Sequence, residues 1–262
     1  MRTLLAMTAC CLLALASCKK DPLPNDCPVS RIQIRPNTLS NIRTADLHYG
    51  SDGVSEVVIS SGERFTLTYR NGTPVRRDYF GIDNLRFRYD SFVYNGGRTP
   101  QRVLRFEQNA AGFYVADSTE IELNNGLLSG LRNYQRASIN AAWQPNLLYR
   151  FSNSGGNLSG YILDRYYGGV LTFSDTMIVL TDNEPNAFNA LHPEFYLYHP
   201  VWAYEAPDHL FFQMTANNIT GLTPATNPPA YFQYSYGYDA QGRLVTSTAG
   251  GVVELALSYD CR

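Results

Sequence analysis

Apolar and polar residues alternate at every second position along much of the chain. In Arg64–Arg70, RFTLTYR, Phe65, Leu67 and Tyr69 fall on one side and Arg64, Thr66, Thr68 and Arg70 on the other. That is the period of a half-buried strand. Similar runs occupy Val54–Ser60, Leu85–Tyr94, Val103–Gln108, Thr119–Asn124, Val170–Phe173, Met177–Thr181, Phe232–Tyr238 and Val252–Tyr259. Clusters of Gly, Asn, Asp and Ser separate them, as turns require. Only Glu184–His192 offers a helical candidate, of one or two turns. The pattern predicts an all-β fold with little helix. Its antiparallel strands form successive β-hairpins, arranged as a meander, an open sheet or a sandwich. Composition agrees, since 19 Tyr and 13 Phe against 17% charged residues favour strands.

One turn grammar recurs. Tyr49-Gly-Ser-Asp-Gly, Tyr69-Arg-Asn-Gly, Tyr94-Asn-Gly-Gly, Leu123-Asn-Asn-Gly, Phe151-Ser-Asn-Ser-Gly and Tyr238-Asp-Ala-Gln-Gly each end a strand on a large apolar residue and then turn on Asn, Asp or Ser plus Gly. The first five start 20, 25, 29 and 28 residues apart, about one hairpin and its return. Asn and Asp tolerate turn geometry and Gly supplies positive φ. These stretches read as hairpin corners rather than catalytic motifs.

The N-terminus changes the picture from fold to location. After Arg2, the apolar stretch Leu4–Ala16 is 13 residues, shorter than the roughly 20 that span a bilayer. It fits the core of a secretory signal, and Leu15-Ala16-Ser17-Cys18 then resembles a bacterial lipobox. On this reading residues 1–17 are a signal peptide, and Cys18 carries the lipid that anchors the chain to a membrane. Residues 18–29 are a Pro-rich tether, and 30–262 are a single β-rich domain. Removing 17 of 262 residues leaves 245. Cys27 and Cys261 remain, near the two ends of that domain, and an oxidising compartment favours a disulfide between them. Two free thiols or a metal pair are the alternatives. The expected location is the cell envelope, most simply the outer membrane. Lys19-Lys20-Asp21 only partly resembles a surface-export signal, so the facing stays open.

Tyr238-Asp239-Ala-Gln-Gly242-Arg243-Leu244 closely resembles the YD repeat that builds hairpin sheets in RHS-type proteins. Together with Asp182-Asn-Glu-Pro-Asn-Ala-Phe188 and Asn217-Asn218-Ile-Thr, it resembles uncharacterised Bacteroidota lipoproteins with such hairpins in the C-terminal half. The resemblance covers residues 182–248. It implies an envelope lipoprotein of stacked hairpins, and it brings no catalytic residues with it.

Candidate chemistry is sparse. His192, Glu194, His199 and His209 lie near one another, but their spacing matches no zinc motif. No Gly-x-Ser-x-Gly elbow occurs, and the Gly pairs lack a following helix and Lys for phosphate. Hence no catalytic residue, metal or cofactor is assigned. Carboxylates that meet only in space keep an unrecognised hydrolase as an alternative. Tyr196, Tyr198, Trp202 and Tyr204 form an even-numbered aromatic row, and Phe232, Tyr234, Tyr236 and Tyr238 form another. Such rows either stack on sugar rings or simply pack across strands.

Charge separates along the chain. Residues 64–105 hold nine Arg against three Asp, while 164–262 hold three Arg against ten acids. Alternating Arg86 and Arg88 read as a solvated face, and the two halves read as mutually attractive. With a net charge of −2, nucleic acid is a poor partner. The sequence therefore points to a membrane-anchored lipoprotein acting as a non-catalytic binding or structural/accessory module, with an outer-membrane protein or a glycan as partner. A surface glycan-binding lipoprotein is the main alternative.

Overall fold

The computed structural model describes residues 27–34, 43–97, 99–190, 215–226 and 232–261. Sixteen strands run in sequence order: β1 (Val29–Ile34), β2 (Arg43–Gly50), β3 (Gly53–Ile59), β4 (Arg64–Arg70), β5 (Thr73–Phe80), β6 (Arg86–Val93), β7 (Arg102–Asn109) and β8 (Gly112–Asn124). They continue as β9 (Leu127–Gln135), β10 (Gln144–Ser154), β11 (Asn157–Tyr167), β12 (Val170–Pro185), β13 (Asn217–Pro224), β14 (Phe232–Tyr238), β15 (Leu244–Ala249) and β16 (Val252–Tyr259). Each strand pairs antiparallel with the next, and β1 pairs with β16, so the sheet closes into a barrel. This corrects the expected open sheet or sandwich. Closure leaves no edge strand along the wall. A single 3-10 turn, Ala187–Ala190, lies within the stretch expected to be helical.

The turns explain why the chain folds back where it does. Asn71-Gly72 and Asn125-Gly126 both have positive φ, 51° and 70° in the first and 51° and 80° in the second. That is the type I′ geometry whose twist matches two antiparallel strands. All six recurrent turns fall at one end of the barrel, here called the lower rim, where Cys27 and Cys261 also lie. They share an end because each follows an even-numbered strand: β2, β4, β6, β8, β10 or β14.

Tyrosines fasten this rim. The Tyr49 hydroxyl donates to the Val29 carbonyl at 2.8 Å, Tyr69 to Val54 at 3.0 Å, and Tyr94 to Pro74 at 2.8 Å. Tyr236 reaches Ile219 and Tyr259 reaches Leu244, both at 2.6 Å, and the Asn153 amide reaches Leu128 at 2.7 Å. In each case an even-numbered strand, or the residue just past it, grips the start of the strand before it. A bulge between His48 and Tyr49, or between Thr68 and Tyr69, shifts the register beside the tyrosine.

The interior is packed. Inward side chains such as Ile32, Ala45, Val57, Phe65, Tyr149, Ile219 and Leu244 are buried and belong to one apolar cluster. A round barrel of 16 strands would leave an aqueous channel; here the inward residues are shut off from solvent. The outer wall carries charge instead. Ion pairs join Arg31 to Asp46, Arg64 to Glu56, Arg102 to Glu120, Arg132 to Glu122 and Arg150 to Asp164, each across neighbouring strands. Arg76 and Arg86 share Asp78 on the same face. Each of these pairs is local, joining residues of one strand or of neighbouring strands. At the opposite, upper rim the β11–β12 hairpin projects, with Tyr167 82% exposed beside exposed Val170, Leu171 and Phe173.

Candidate functional site

Arg77 on β5 stands opposite Asp90 on β6, Asp90 opposite Arg105 on β7, and Arg105 opposite Asp117 on β8. Charge therefore alternates across four strands inside the barrel. Asp90 is 0% exposed. Its Oδ2 accepts from Arg77 Nη2 at 2.6 Å and from the Tyr79 hydroxyl at 2.8 Å, and its Oδ1 accepts from Arg105 Nε at 3.1 Å. The Arg88 guanidinium lies 4.0 Å from the centre of the Tyr79 ring, a cation–π arrangement in a dry setting.

Burial alone would push the Asp90 carboxyl up; the guanidiniums of Arg105 and Arg77, with the Arg77 hydrogen bond, outweigh it and hold the group well below the usual carboxylate range. Burial pushes the Tyr79 hydroxyl up to about 12. Asp117 goes the other way from Asp90: burial raises it, despite Arg105 and the amide of Asn133. Asn133 Nδ2 donates to Asp117 at 2.7 Å and to Thr119 at 2.8 Å, and Asn146 donates to Asn133 at 2.8 Å. Asp90, Asp117, Asn133 and their partners form a polar network that links β5 to β10, while Nε and Nη2 of buried Arg88 make no hydrogen bond among the described residues.

This cluster corrects one expectation. Arg86 and Arg88 do not share a solvated face. A register shift beside Tyr79 and Phe80 leaves Phe87 between the two paired positions. Arg86 then reaches outward to Asp78, while Arg88 turns inward and is 6% exposed.

Two concavities mark the described surface. One of about 580 Å3 sits at the upper rim above the ion cluster, lined by Phe87, Arg88, Glu107, Gln108 and Asn109. The other, of about 460 Å3, lies in the outer wall between β8 and β11, over Gly130.

Cys27 and Cys261 form the expected disulfide, with Cα atoms 4.1 Å apart. Cys18 and the row Tyr196, Tyr198, Trp202 and Tyr204 lie outside the described residues, as do His192, Glu194, His199 and His209. The second aromatic row is structural at its centre: Tyr234 and Tyr236 pack against the core, and Tyr236 meets Phe188 edge-on at 6.0 Å. The Tyr238-to-Leu244 stretch is a hairpin corner, as expected. Asp239 there accepts from the Arg243 backbone at 2.9 Å and from its Nε at 2.7 Å. Among the described residues no cluster of His, Cys, Asp and Glu could hold a metal ion. The ion ladder escaped sequence reading, because its members are contiguous only after four strands pair. The surplus of Arg in 64–105 was its one visible signal.

No protein-family model matches the sequence, and no curated protein does. Among solved structures, the fold is similar to that of a porin-like protein from Bacteroides vulgatus ATCC 8482. The TM-score is 0.55 at 12% identity, over 90% of this chain and 99% of that one. It is also similar to a porin-like protein from Bacteroides uniformis ATCC 8492, with a TM-score of 0.54 at 12% identity over 89% and 98%. At this identity the likeness is one of fold.

Proposed function

We propose that the chain is a membrane-anchored envelope lipoprotein whose barrel stands in water as a non-catalytic binding or structural module. The observation that carries this reading is the inversion of the wall. A membrane-spanning barrel turns an apolar band outward and polar residues inward. Here ion pairs stud the outside of β1 to β11, while the inside is largely apolar and buried. Strand length points the same way. Strands β1, β3, β4, β14 and β15 have six or seven residues, against about 9–11 for a bilayer-spanning strand. The anchor is then the lipid on Cys18, and the partner is an envelope protein or a glycan.

Two measurements test this. Cells fed tritiated palmitate should label the wild-type chain and not Cys18→Ser, and the variant should leave the membrane fraction. Purified protein added to planar bilayers should give no single-channel conductance. Stable conducting channels, or a membrane fraction unchanged by Cys18→Ser, would overturn the reading.

A further inference from the structure

We propose that the outer-wall groove across β8–β11 binds a neutral saccharide. This rests on the reading of the barrel as a water-exposed binding module. The groove passes over Gly130, an outward position on β9 without a side chain, where the Glu122 carboxylate folds across the backbone and forms part of the lining. Leu148 and Pro145 of β10 give it an apolar floor, and Tyr134 of β9 and Tyr166 of β11 flank that floor. The two tyrosines are two strand spacings apart, roughly 10 Å, which suits a disaccharide lying across the strands.

The polar groups select the ligand class. Arg132 pairs with Glu122 at 3.0 Å, and Arg150 with Asp164 at 2.9 Å. Asp164 is also held by the Ser174 hydroxyl at 2.6 Å. The four charges cancel, so the groove has no pull on an anion. Each pair presents guanidinium donors beside carboxylate acceptors, and adjacent sugar hydroxyls both accept and donate. A lipid chain would instead bury these charges at a cost. The tyrosines differ from those of the lower rim: neither hydroxyl bonds to another described residue, and both rings are half-buried. Such sites combine apolar area with a few placed polar groups at volumes of roughly 300–1,000 Å3.

Gly130 allows a test that spares the fold. Its φ is not positive, so the backbone accepts a strand residue there. A Cβ would meet Glu122 Oε2 at 2.5 Å, the far end of a flexible side chain that can swing away. Gly130→Val should therefore fill the groove from below and push the Glu122 carboxylate out of it.

The experiment is affinity electrophoresis of the full-length lipidated chain in detergent, through native gels cast with laminarin, dextran, galactomannan or polygalacturonate. The expected result is slowed migration in at least one neutral polymer. Gly130→Val and the double variant Tyr134→Ala/Tyr166→Ala should each weaken retention about tenfold or more, the loss of one good contact. Circular dichroism and melting should stay as in wild type, and Tyr167→Ala on the projecting hairpin should be retained like wild type. If Gly130→Val misfolds, the tyrosine variant decides alone. No retention in any neutral polymer, retention only in polygalacturonate, or full retention by the groove variants would overturn the site. Those results would leave the anchored-module reading intact, since labelling and conductance judge it separately.

Discussion

Asp90 has no contact with solvent and touches two guanidiniums. Asp90→Ala would strand Arg77 and Arg105 in the interior, so about 3–5 kcal/mol of stability should be lost in urea denaturation. The carboxyl lies below its ordinary 3.8 when folded. Its contribution is therefore complete above that pH and is lost as the pH falls below it. Asp117 is raised, so its contribution is complete below the ordinary value and is lost as pH rises through the folded value. At the alkaline side, burial lifts Tyr259 and Tyr79 from 10.0 to about 12. Their neutral forms stabilise the fold up to pH 10, and that support is lost as pH rises towards 12. Tyr259→Phe removes both the ionising group and the bond to Leu244. It should cost about 0.5–1.5 kcal/mol at neutral pH and shift the alkaline unfolding midpoint upward. Melts at pH 7 and pH 11 would show both effects.

At the scale of the element, the strands with clean alternation were legible residue by residue. Arg64–Arg70, Phe232–Tyr238 and Val252–Tyr259 have the bounds the pattern predicts. Some strands that turn polar groups inward were not, because a period-two pattern assumes that polar means outward. β5 and β9, which carry Arg77 and Asn133 into the barrel, are such cases. Val170–Phe173 and Met177–Thr181 are one strand, β12, since Ser174, Asp175 and Thr176 look like a turn yet stay paired with β11. The turn grammar was fully legible, as its chemistry is local. Its strictest members can be tested singly. Gly72 has φ 70° with nothing within 4 Å of a Cβ. Gly72→Ala should therefore cost only the backbone penalty, about 1 kcal/mol, measured by urea denaturation.

Over the whole molecule, closure was invisible beforehand. Whether a meander bends round to meet itself depends on twist and stagger summed over sixteen strands, and no local stretch records that sum. The saccharide groove was equally hidden, because Gly130, Tyr134, Pro145, Leu148 and Tyr166 become neighbours only through the register of three strands. The cysteine pairing could be read, since it needed only two thiols in an oxidising setting. Cys27→Ser/Cys261→Ser should lose about 3–5 kcal/mol in the chain-entropy description, seen as a lower melting temperature. Dithiothreitol on the wild type should reproduce that shift.

The same bond has a mechanical consequence. Any pull arriving from the N-terminal side enters the barrel at Cys27, just ahead of β1. The disulfide divides that load, because Cys261 follows β16 directly and β16 pairs with β1. Tension along either strand then acts parallel to its axis and across the hydrogen bonds on both flanks, so they are loaded together in shear rather than peeled one at a time. Force entering at the N-terminal end is thus shared between the first and last strands, which the disulfide welds together at the lower rim.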